Sequence, residues 1–328
     1  MKRRDIITLL AGAVVTLVLC PREGRAQQAR KTHRIGFLGA TSLGEYRHLV
    51  HGLLTGLRQL GYEEGKNIVI EYRWAESRYD RLPELAAELV KLNVDVIVAP
   101  ATPSAVAAKQ ATSTIPVVVI LGDPIAAGLV ASLARPGGNV TGVAFFFGEI
   151  CAKRVELIKE AIPTLGRIAV FINPANLSHP IALAAMQRMA SALEVELVPM
   201  EVSARNEIAA AVASAVTRQA HALIAIEDPL ITSNARQIAA HATENGLPMI
   251  GFKPQAEAGA LMEYGVDLVD SFLRSASLVD KILKGTSPAE LPIQRAVKFD
   301  FNINLKTAKA LGIELPTSLL VRADHVIE

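Results

Sequence analysis

The sequence has little cysteine and only a short N-terminal hydrophobic run. The first feature argues against disulfides and cysteine-based metal sites, and the second argues against a membrane-spanning N-terminal helix. The 328 residues of the chain include two cysteines, Cys20 and Cys151. We expect Cys20 to leave with an N-terminal leader, so Cys151 has no partner for an intrachain disulfide and no cysteine-based metal site can form. The apolar run over residues 6–19 is about fourteen residues long, whereas a membrane-spanning helix needs about 20.

Motifs for nucleotide binding and for common hydrolytic chemistry are also missing. Residues 39–45 have the glycine spacing of a phosphate loop, but Glu45 stands where that loop requires lysine. No G-x-G-x-x-G follows a predicted strand, and neither G-x-S-x-G nor H-E-x-x-H occurs. The seven histidines are scattered; His48 and His51 share a helix face without a third ligand nearby. We therefore predict no cofactor, no metal site and no catalytic residues.

The first 26 residues read as a secretory signal peptide. A basic head at residues 2–4 precedes the apolar run, and a small-x-small site at residues 24–26 follows it. This order predicts cleavage after Ala26 and export to the periplasm. It disfavours a buried N-terminal helix, which would need neither the basic head nor the cleavage site.

Two properties of this export signal are undecided from the sequence, namely lipid attachment and the export route. Residues 17–20 resemble a lipoprotein box, although the large Leu19 precedes Cys20 where a small residue is preferred. Arg3 and Arg4 fit the twin-arginine route in part. The mature protein is therefore either free or lipid-anchored, and the export route is undecided.

The basic charge of the whole chain belongs to this leader. Its removal takes away five of 34 Lys and Arg residues and two of 32 Asp and Glu residues, so the net charge changes from +2 to about −1. Nucleic-acid binding then lacks the usual basic surface, and we predict no nucleic-acid partner. The remaining length of about 300 residues predicts two lobes.

From residue 34 onward, short apolar strands alternate with amphipathic helices, a pattern typical of parallel α/β units. In the first half a helix is predicted over residues 125–134 before the fifth strand, the pattern restarts near residue 167, and the second half includes a helix predicted over residues 232–245. The predicted strands cover residues 34–39, 67–74, 94–99, 116–121, 140–146, 167–172, 196–202, 222–226, 248–252, 260–265 and 297–304. The fold class is thus α/β, with two Rossmann-like lobes that each hold a central parallel sheet.

The tail of the chain predicts how the lobes connect. It contains one strand–helix unit more than the second lobe needs, so we expect residues 260–290 to cross back to the first lobe. The N-terminal lobe would comprise residues 33–144 and 260–290, and the C-terminal lobe residues 145–259 and 291–328. Three crossings of the chain would then form a hinge.

Small polar residues follow several strands, at the edge where open α/β sheets bind ligands. Hydroxyl groups and free amides at a helix N-terminus can hold a carboxylate, and an acid can hold an ammonium group. Each of these residues could also be a helix cap or a packing residue. The candidate ligand-binding residues are Thr41, Ser42, Thr102, Ser104, Asp123, Asn173, Asp228, Tyr264 and Trp74.

Six segments of the chain are specific when they are taken together. They are residues 67–76 (NIVIEYRWAE), 79–86 (YDRLPELA), 108–112 (AKQAT), 122–124 (GDP), 133–142 (LARPGGNVTG) and 304–308 (NLKTA). Together they resemble the ABC-transporter substrate-binding proteins of the type with tryptophan- and tyrosine-binding members. The resemblance runs from about residue 34 to the end of the chain. It implies the type I periplasmic binding fold, in which two hinged lobes close on a solute.

The resemblance implies a monomeric receptor that delivers a small solute to an ABC permease and ATPase complex at the inner membrane. The loops at residues 40–45 and 173–179 should line the cleft and set ligand choice. An aromatic or branched amino acid is the first candidate ligand, and another small carboxylate is the second. A secreted α/β enzyme and a sensory receptor for a membrane kinase remain alternatives. A ligand-sensing repressor would need a DNA-binding segment where the signal peptide stands.

Overall fold

The computed structural model describes residues 32–253 and 255–328. The predicted signal peptide, with Cys20 and the Ala26 cleavage site, lies outside these residues. The described residues form thirteen strands: His33–Gly39 (β1), Ile68–Trp74 (β2), Val96–Pro100 (β3), Val117–Leu121 (β4), Val140–Ala144 (β5), Arg167–Ile172 (β6), Glu196–Glu201 (β7), Ala222–Ala225 (β8), Met249–Gly251 (β9), Met262–Val266 (β10), Gln294–Arg295 (β11), Phe299–Asn304 (β12) and His325–Ile327 (β13).

Eleven α-helices connect the strands in the same part of the chain. They are Leu43–Gln59 (α1), Leu82–Lys91 (α2), Thr102–Ala111 (α3), Phe147–Ala161 (α4), His179–Ala192 (α5), Ile208–Thr217 (α6), Pro229–Ser233 (α7), Ala235–Glu244 (α8), Leu268–Leu283 (α9), Leu305–Ala310 (α10) and Thr317–Arg322 (α11). Among the residues described, no helix has the length and apolar character to cross a membrane.

The strands form two sheets, which confirms the predicted α/β class. The first sheet has the order β11-β5-β4-β3-β1-β2 and is parallel throughout. The second has the order β13-β12-β10-β9-β8-β6-β7 and is parallel except where β12 pairs with β10. The central strands β3, β4 and β5 are buried along their whole length, as expected for sheets covered by helices on both faces.

Helices cover both faces of each sheet. In the first sheet, α1 and α9 pack together on one face and α2 and α3 on the other. The contact between α1 and α9 is close because α1 carries glycine there; a Cβ atom on Gly52 would lie 2.8 Å from the carbonyl oxygen of Val269. In the second sheet, α4 and α5 pack on one face and α6 and α8 on the other.

The chain passes between the two sheets three times, as predicted. The crossings follow β5, β10 and β11. The prediction for strand 260–265 was wrong, however, because β10 pairs with β9 and β12 in the second sheet. The buried Glu263 carboxylate fixes it there by accepting hydrogen bonds from the Ala256 amide and the Asn302 side chain. The following helix α9 does return to the first sheet, as predicted.

Two predicted helices also differ from the structure. Residues 125–134 form turns instead of a helix. The Asp123 carboxylate binds the Ile125 and Ala126 amides, and Gly128 takes a positive φ of 69°, so the chain turns before a helix can extend. The helix predicted over residues 232–245 is divided into α7 and α8 at Asn234.

Candidate functional site

A cavity of about 600 Å³ lies where the carboxyl ends of the two sheets face each other. Residues after β1, β3, β4 and β5 line it from one side, and residues after β6, β8 and β9 from the other. Much of its wall is apolar. The aromatic and aliphatic residues of this wall include Tyr46, Leu49, Ile120, Phe145, Phe147 and Phe272.

The first sheet contributes hydroxyl groups and two helix N-termini to the cavity. Thr41 lines the cavity with a side chain that is 1% exposed, and its hydroxyl group has no partner among the described residues. Ser42 caps α1 in a capping box with Glu45, as its sequence spacing predicted. Thr102 begins α3, whose first amides are free of intrahelical partners. This side of the cavity can therefore hold an anionic group.

The backbone at the start of α3 is unusual. Ala101 adopts φ 63° and ψ 154°, a region that is essentially restricted to glycine. Its amide donates to the Ile120 carbonyl group on the neighbouring strand. Ala101 lines the cavity, so the strained turn directs the N-terminus of α3 toward the space between the sheets.

Asp228, which follows β8, is a buried carboxylate with four hydrogen-bond donors. Its Oδ1 atom accepts from the Tyr79 hydroxyl at 3.0 Å, from Asn173 Nδ2 at 3.2 Å and from the Leu230 amide at 2.9 Å. Its Oδ2 atom accepts from Asn176 Nδ2 at 2.9 Å. The side chain is 2% exposed. These donors satisfy the carboxylate within the protein.

Hydrogen bonds join the residues around the first sheet to those around the second, and one of them runs from the Leu230 amide to the Tyr79 hydroxyl at 3.2 Å. The Tyr79 hydroxyl reaches Asp228, and the Thr102 hydroxyl lies 2.7 Å from the Ser178 hydroxyl. Burial, and then the charge of Asp228, raise the pKa of Tyr79 well above its ordinary value. Tyr79 is therefore a neutral donor at physiological pH.

Glu227 precedes Asp228 and is held by a buried arginine. Arg154, in α4, is completely buried and donates from Nη1 at 2.7 Å and from Nη2 to the two oxygens of the Glu227 carboxylate. Its Nε atom donates to the Tyr264 carbonyl oxygen at 2.7 Å. Burial is the largest single influence and would lower the pKa of Arg154, but the charge of Glu227 and its hydrogen bonds with the guanidinium group together contribute to a net rise of that pKa.

His179 lies beside these acids as a neutral ring. Its Nδ1 atom accepts a hydrogen bond from the Asn173 amide at 2.7 Å, so Nε2 carries the proton and faces the Glu227 carbonyl oxygen at 3.2 Å. Burial lowers its pKa, although Asp228 and Glu227 oppose this shift. Both ring nitrogens are occupied by backbone groups and support the loop over residues 173–179.

Charged side chains surround the mouth of the cavity. Arg205, Arg236 and Lys253 line it beside the second sheet, and Glu45 and His48 lie beside the first. Burial and then the charge of Lys253 lower the pKa of His48. The mouth is thus more basic than the interior.

The structure brings some of the sequence-predicted residues together and separates others. Thr41, Thr102 and Asp228 line the cavity, whereas Asn173 does not line it but donates a hydrogen bond to Asp228. The other candidates, which do not line it, are Ser42, Ser104, Asp123, Tyr264 and Trp74.

Four of these five candidates have a local structural role, and that of Ser42 is to cap α1. Asp123 caps the turn at residues 125–126 and lines a separate surface pocket. Ser104 is fully buried in α3, and its hydroxyl group has no partner in the described chain. Tyr264 stacks on Phe299. Trp74 stacks on Tyr72 and covers Gly39.

Sequence reasoning missed Tyr79 and Arg154 as site residues. Tyr79 starts one of the segments that carry the family resemblance, so a signal for it was present. Asn176 and Ser178 lie in the loop that was expected to line the cleft. Arg154 has no comparable signal, because one arginine on an amphipathic helix predicts an exposed side chain.

Comparisons with known proteins agree with this arrangement. The family described as "ABC transporter substrate binding protein" matches residues 42–327. The tyrosine-binding protein of Clostridioides difficile (strain R20291) is 29% identical over 294 residues, which are 89% of this chain and 84% of the relative.

Two solved structures differ in how well they superpose on this chain. An ABC domain in complex with L-Trp from Streptococcus pneumonia is 27% identical with a TM-score of 0.84, covering 90% of this chain and 100% of that one. A ligand-free, open substrate-binding protein with adhesive properties from Clostridium difficile is 28% identical, with a TM-score of 0.65 and coverage of 90% and 99%. The resemblance predicted from sequence is confirmed. The chain belongs to the ABC transporter substrate-binding protein family and has the type I periplasmic binding fold.

Proposed function

We propose that this protein is the periplasmic receptor of an ABC importer and that it captures an apolar α-amino acid, aromatic or branched, between two closing lobes. It would bind the solute without chemistry, as a monomer, and present it to a permease and ATPase complex at the inner membrane. The signal peptide over residues 1–26 would deliver it to the periplasm. The observation that carries the proposal is the largely apolar cavity with polar groups at its two facing sheet edges.

The two ends of an α-amino acid match the two sides of this cavity. The free amides at the start of α3 and the unpartnered Thr41 hydroxyl suit the ligand carboxylate. On the other side, the buried charges of Arg154, Glu227 and Asp228 sum to one negative charge, which suits the ammonium group. The aromatic wall between them suits an apolar side chain. Relatives that bind tyrosine or carry L-Trp support this ligand class.

Closure of the lobes would follow from contacts made only in the closed state. The moving lobes would be the first sheet with α1, α2, α3 and α9, and the second sheet with its own helices. The hydrogen bonds from Tyr79 to Asp228 and between Thr102 and Ser178 cross the cleft. The better superposition on the L-Trp complex than on the ligand-free, open structure supports a closed arrangement.

Ligand screening by thermal shift tests the proposal. The purified protein should be melted with each L-amino acid and with small carboxylates such as benzoate and acetate. A ligand at 100 times its Kd adds about 2.7 kcal/mol, which raises Tm by about 4 °C for a chain of this size. A shift with aromatic or branched amino acids is expected. A shift with none of them would overturn the proposed ligand class.

A transport assay separates the importer from a sensory receptor. A strain without this gene should lose uptake of the radiolabelled ligand identified by thermal shift, and the gene supplied in trans should restore it. Unchanged uptake, together with loss of a ligand-dependent transcriptional response, would favour a receptor for a membrane kinase.

A further inference from the structure

We infer that Glu227, and not the neighbouring Asp228, is the carboxylate that binds the ammonium group of the ligand, and that Arg154 is the residue that positions it. This inference rests on the proposed function, because it assigns a group of the amino-acid ligand to one of two adjacent acids. From the sequence alone we expected this acid to be Asp123 or Asp228, and Asp228 follows the same strand as Glu227.

The hydrogen-bond capacity of the two carboxylates separates their roles. A carboxylate offers about four acceptor positions, two on each oxygen. Asp228 already accepts four hydrogen bonds, three on Oδ1 from Tyr79, Asn173 and the Leu230 amide and one on Oδ2 from Asn176. An ammonium group could therefore bind Asp228 only at the one remaining position on Oδ2, and the residue is only 2% exposed.

Glu227 keeps capacity that the protein does not use. Arg154 occupies one position on each of its two oxygens, and the carboxylate lines the cavity with 13% of the side chain exposed. A second acceptor position on each oxygen therefore remains for donors in the cavity. An ammonium group, with its three N–H donors, fits this requirement.

Arg154 fixes the direction of those free positions. The guanidinium group is itself held by the carbonyl oxygens of Tyr264 in β10 and Ala225 in β8, the two strands on either side of β9. Because Arg154 is completely buried, it cannot rotate away without losing both contacts. The forked pairing therefore gives Glu227 one orientation before the ligand arrives.

The experiment compares an amino acid with its analogue that lacks the ammonium group. Suitable pairs are L-tryptophan with indole-3-propanoate, L-tyrosine with 3-(4-hydroxyphenyl)propanoate and L-leucine with 4-methylpentanoate, chosen by what the unmodified protein binds. The measured quantity is the Kd of the analogue divided by the Kd of the amino acid, with both values from calorimetry. A hydrogen bond between charged groups predicts that Glu227→Gln lowers this ratio about 10- to 100-fold.

Glu227→Gln leaves the buried Arg154 without its counter-charge, so a second variant is needed. The double variant R154M/E227Q removes both charges and keeps the side chains similar in volume; it should lower the ratio to the same extent. Arg154→Lys keeps the charge but loses the fork, and it should lower the ratio less than Glu227→Gln does. Glu201→Gln, an exposed acid at the end of β7, removes the same charge and should leave the ratio unchanged.

Asp228→Asn provides the deciding comparison. If Asp228 only joins the lobes, this variant weakens both ligands by the same factor and the ratio stays constant. If Asp228→Asn lowers the ratio while Glu227→Gln does not, the assignment is overturned and the receptor function stands. Failure of the unmodified protein to bind any amino acid would instead overturn the proposed function.

Discussion

The Tyr79 hydroxyl donates a 3.0 Å hydrogen bond to the Asp228 carboxylate, although the two residues are 149 positions apart and lie beside different sheets. Tyr79 lies in a short 3₁₀-helix before α2, and Asp228 caps α7 after β8. Only the approach of the two sheets brings these groups together. In the proposed motion of the lobes, this hydrogen bond would form only in the closed state, whereas bonds within one sheet would stay intact.

Replacing Tyr79 by phenylalanine should weaken ligand binding by destabilising the closed state. The variant removes one of four donors to a buried carboxylate, a contact of about 1.5–3 kcal/mol, so Kd should rise about 10- to 100-fold. Calorimetry with the best ligand measures this change. X-ray scattering should also detect a larger radius of gyration with ligand present.

The chain offers a matched control for this variant. Tyr62 donates a 3.0 Å hydrogen bond to Asp280, and both residues lie beside the first sheet. Tyr62→Phe should therefore lower Tm without changing Kd. Equal effects of the two variants on Kd would mean that the Tyr79 contact is not specific to closure.

The second bond across the cleft predicts coupling between Thr102 and Ser178. Their hydroxyl groups are 2.7 Å apart and buried. A double-mutant cycle of Thr102→Val and Ser178→Ala, read out by ligand affinity, should give a coupling free energy of about 0.5–1.5 kcal/mol.

Ser233 supplies the control cycle. It also lines the cavity, but its hydroxyl group donates to the Leu230 carbonyl oxygen beside the same sheet. Ser233→Ala combined with Thr102→Val should be additive. A coupling as large as that of Ser178 would argue against a direct contact.

Sequence patterning was sufficient for the two-sheet architecture but not for the placement of every element. The apolar strands are buried on both faces, so continuous runs such as residues 117–121 identify them. The same pattern does not encode which sheet a strand joins. β10 was assigned to the wrong sheet because its position depends on Glu263, Ala256 and Asn302, which meet only in the fold.

The sequence was sufficient to place the candidate site at the carboxyl edge of the sheets, but not to identify which of the residues there line the cavity. Hydroxyl groups and acids after strands indicated Thr41, Thr102 and Asp228, and all three line the cavity. Sequence could not separate Asp228 from Asp123, because both are acids before proline at a strand end. Asp123 turns its carboxylate toward its own loop, where the Ile125 and Ala126 amides bind it.

Loss of Arg154 should strongly destabilise the fold. Arg154→Met leaves the largely buried Glu227 carboxylate without its counter-charge, and breaking such a pair lowers the free energy of unfolding by about 3–5 kcal/mol. Urea unfolding measures the change. The double variant R154M/E227Q should recover much of this loss because no buried charge remains unpaired. Equal stability of Arg154→Met and the unmodified protein would contradict a buried ion pair.

The neutral state of His179 predicts lower stability in mild acid. Burial lowers its pKa in the folded state below the ordinary value of 6.5. The unfolded chain therefore binds a proton at a higher pH than the native protein, so the free energy of unfolding falls as pH drops below about 6.5. Urea titrations between pH 5 and 8 measure this slope.

His179→Gln isolates the contribution of this residue. Glutamine can still accept from the Asn173 amide and donate to the Glu227 carbonyl oxygen, but it does not titrate. The slope below pH 6.5 should become shallower and keep only the share of other groups, including His48, whose pKa is also lowered. An unchanged slope would show that His179 does not resist protonation in the folded protein.

The strained turn before α3 predicts a stabilising substitution. Ala101 has φ 63° and ψ 154°, and such a conformation costs a residue with a side chain about 1–3 kcal/mol. Ala101→Gly relieves this strain, while the freer unfolded chain takes back about 0.4–1 kcal/mol. The free energy of unfolding should rise by about 1 kcal/mol in urea titrations. Ala105→Gly, inside α3, should instead lower it by about 1 kcal/mol. If both variants lose stability, the backbone at residue 101 is not strained, and the N-terminus of α3 is aimed at the cavity by packing alone.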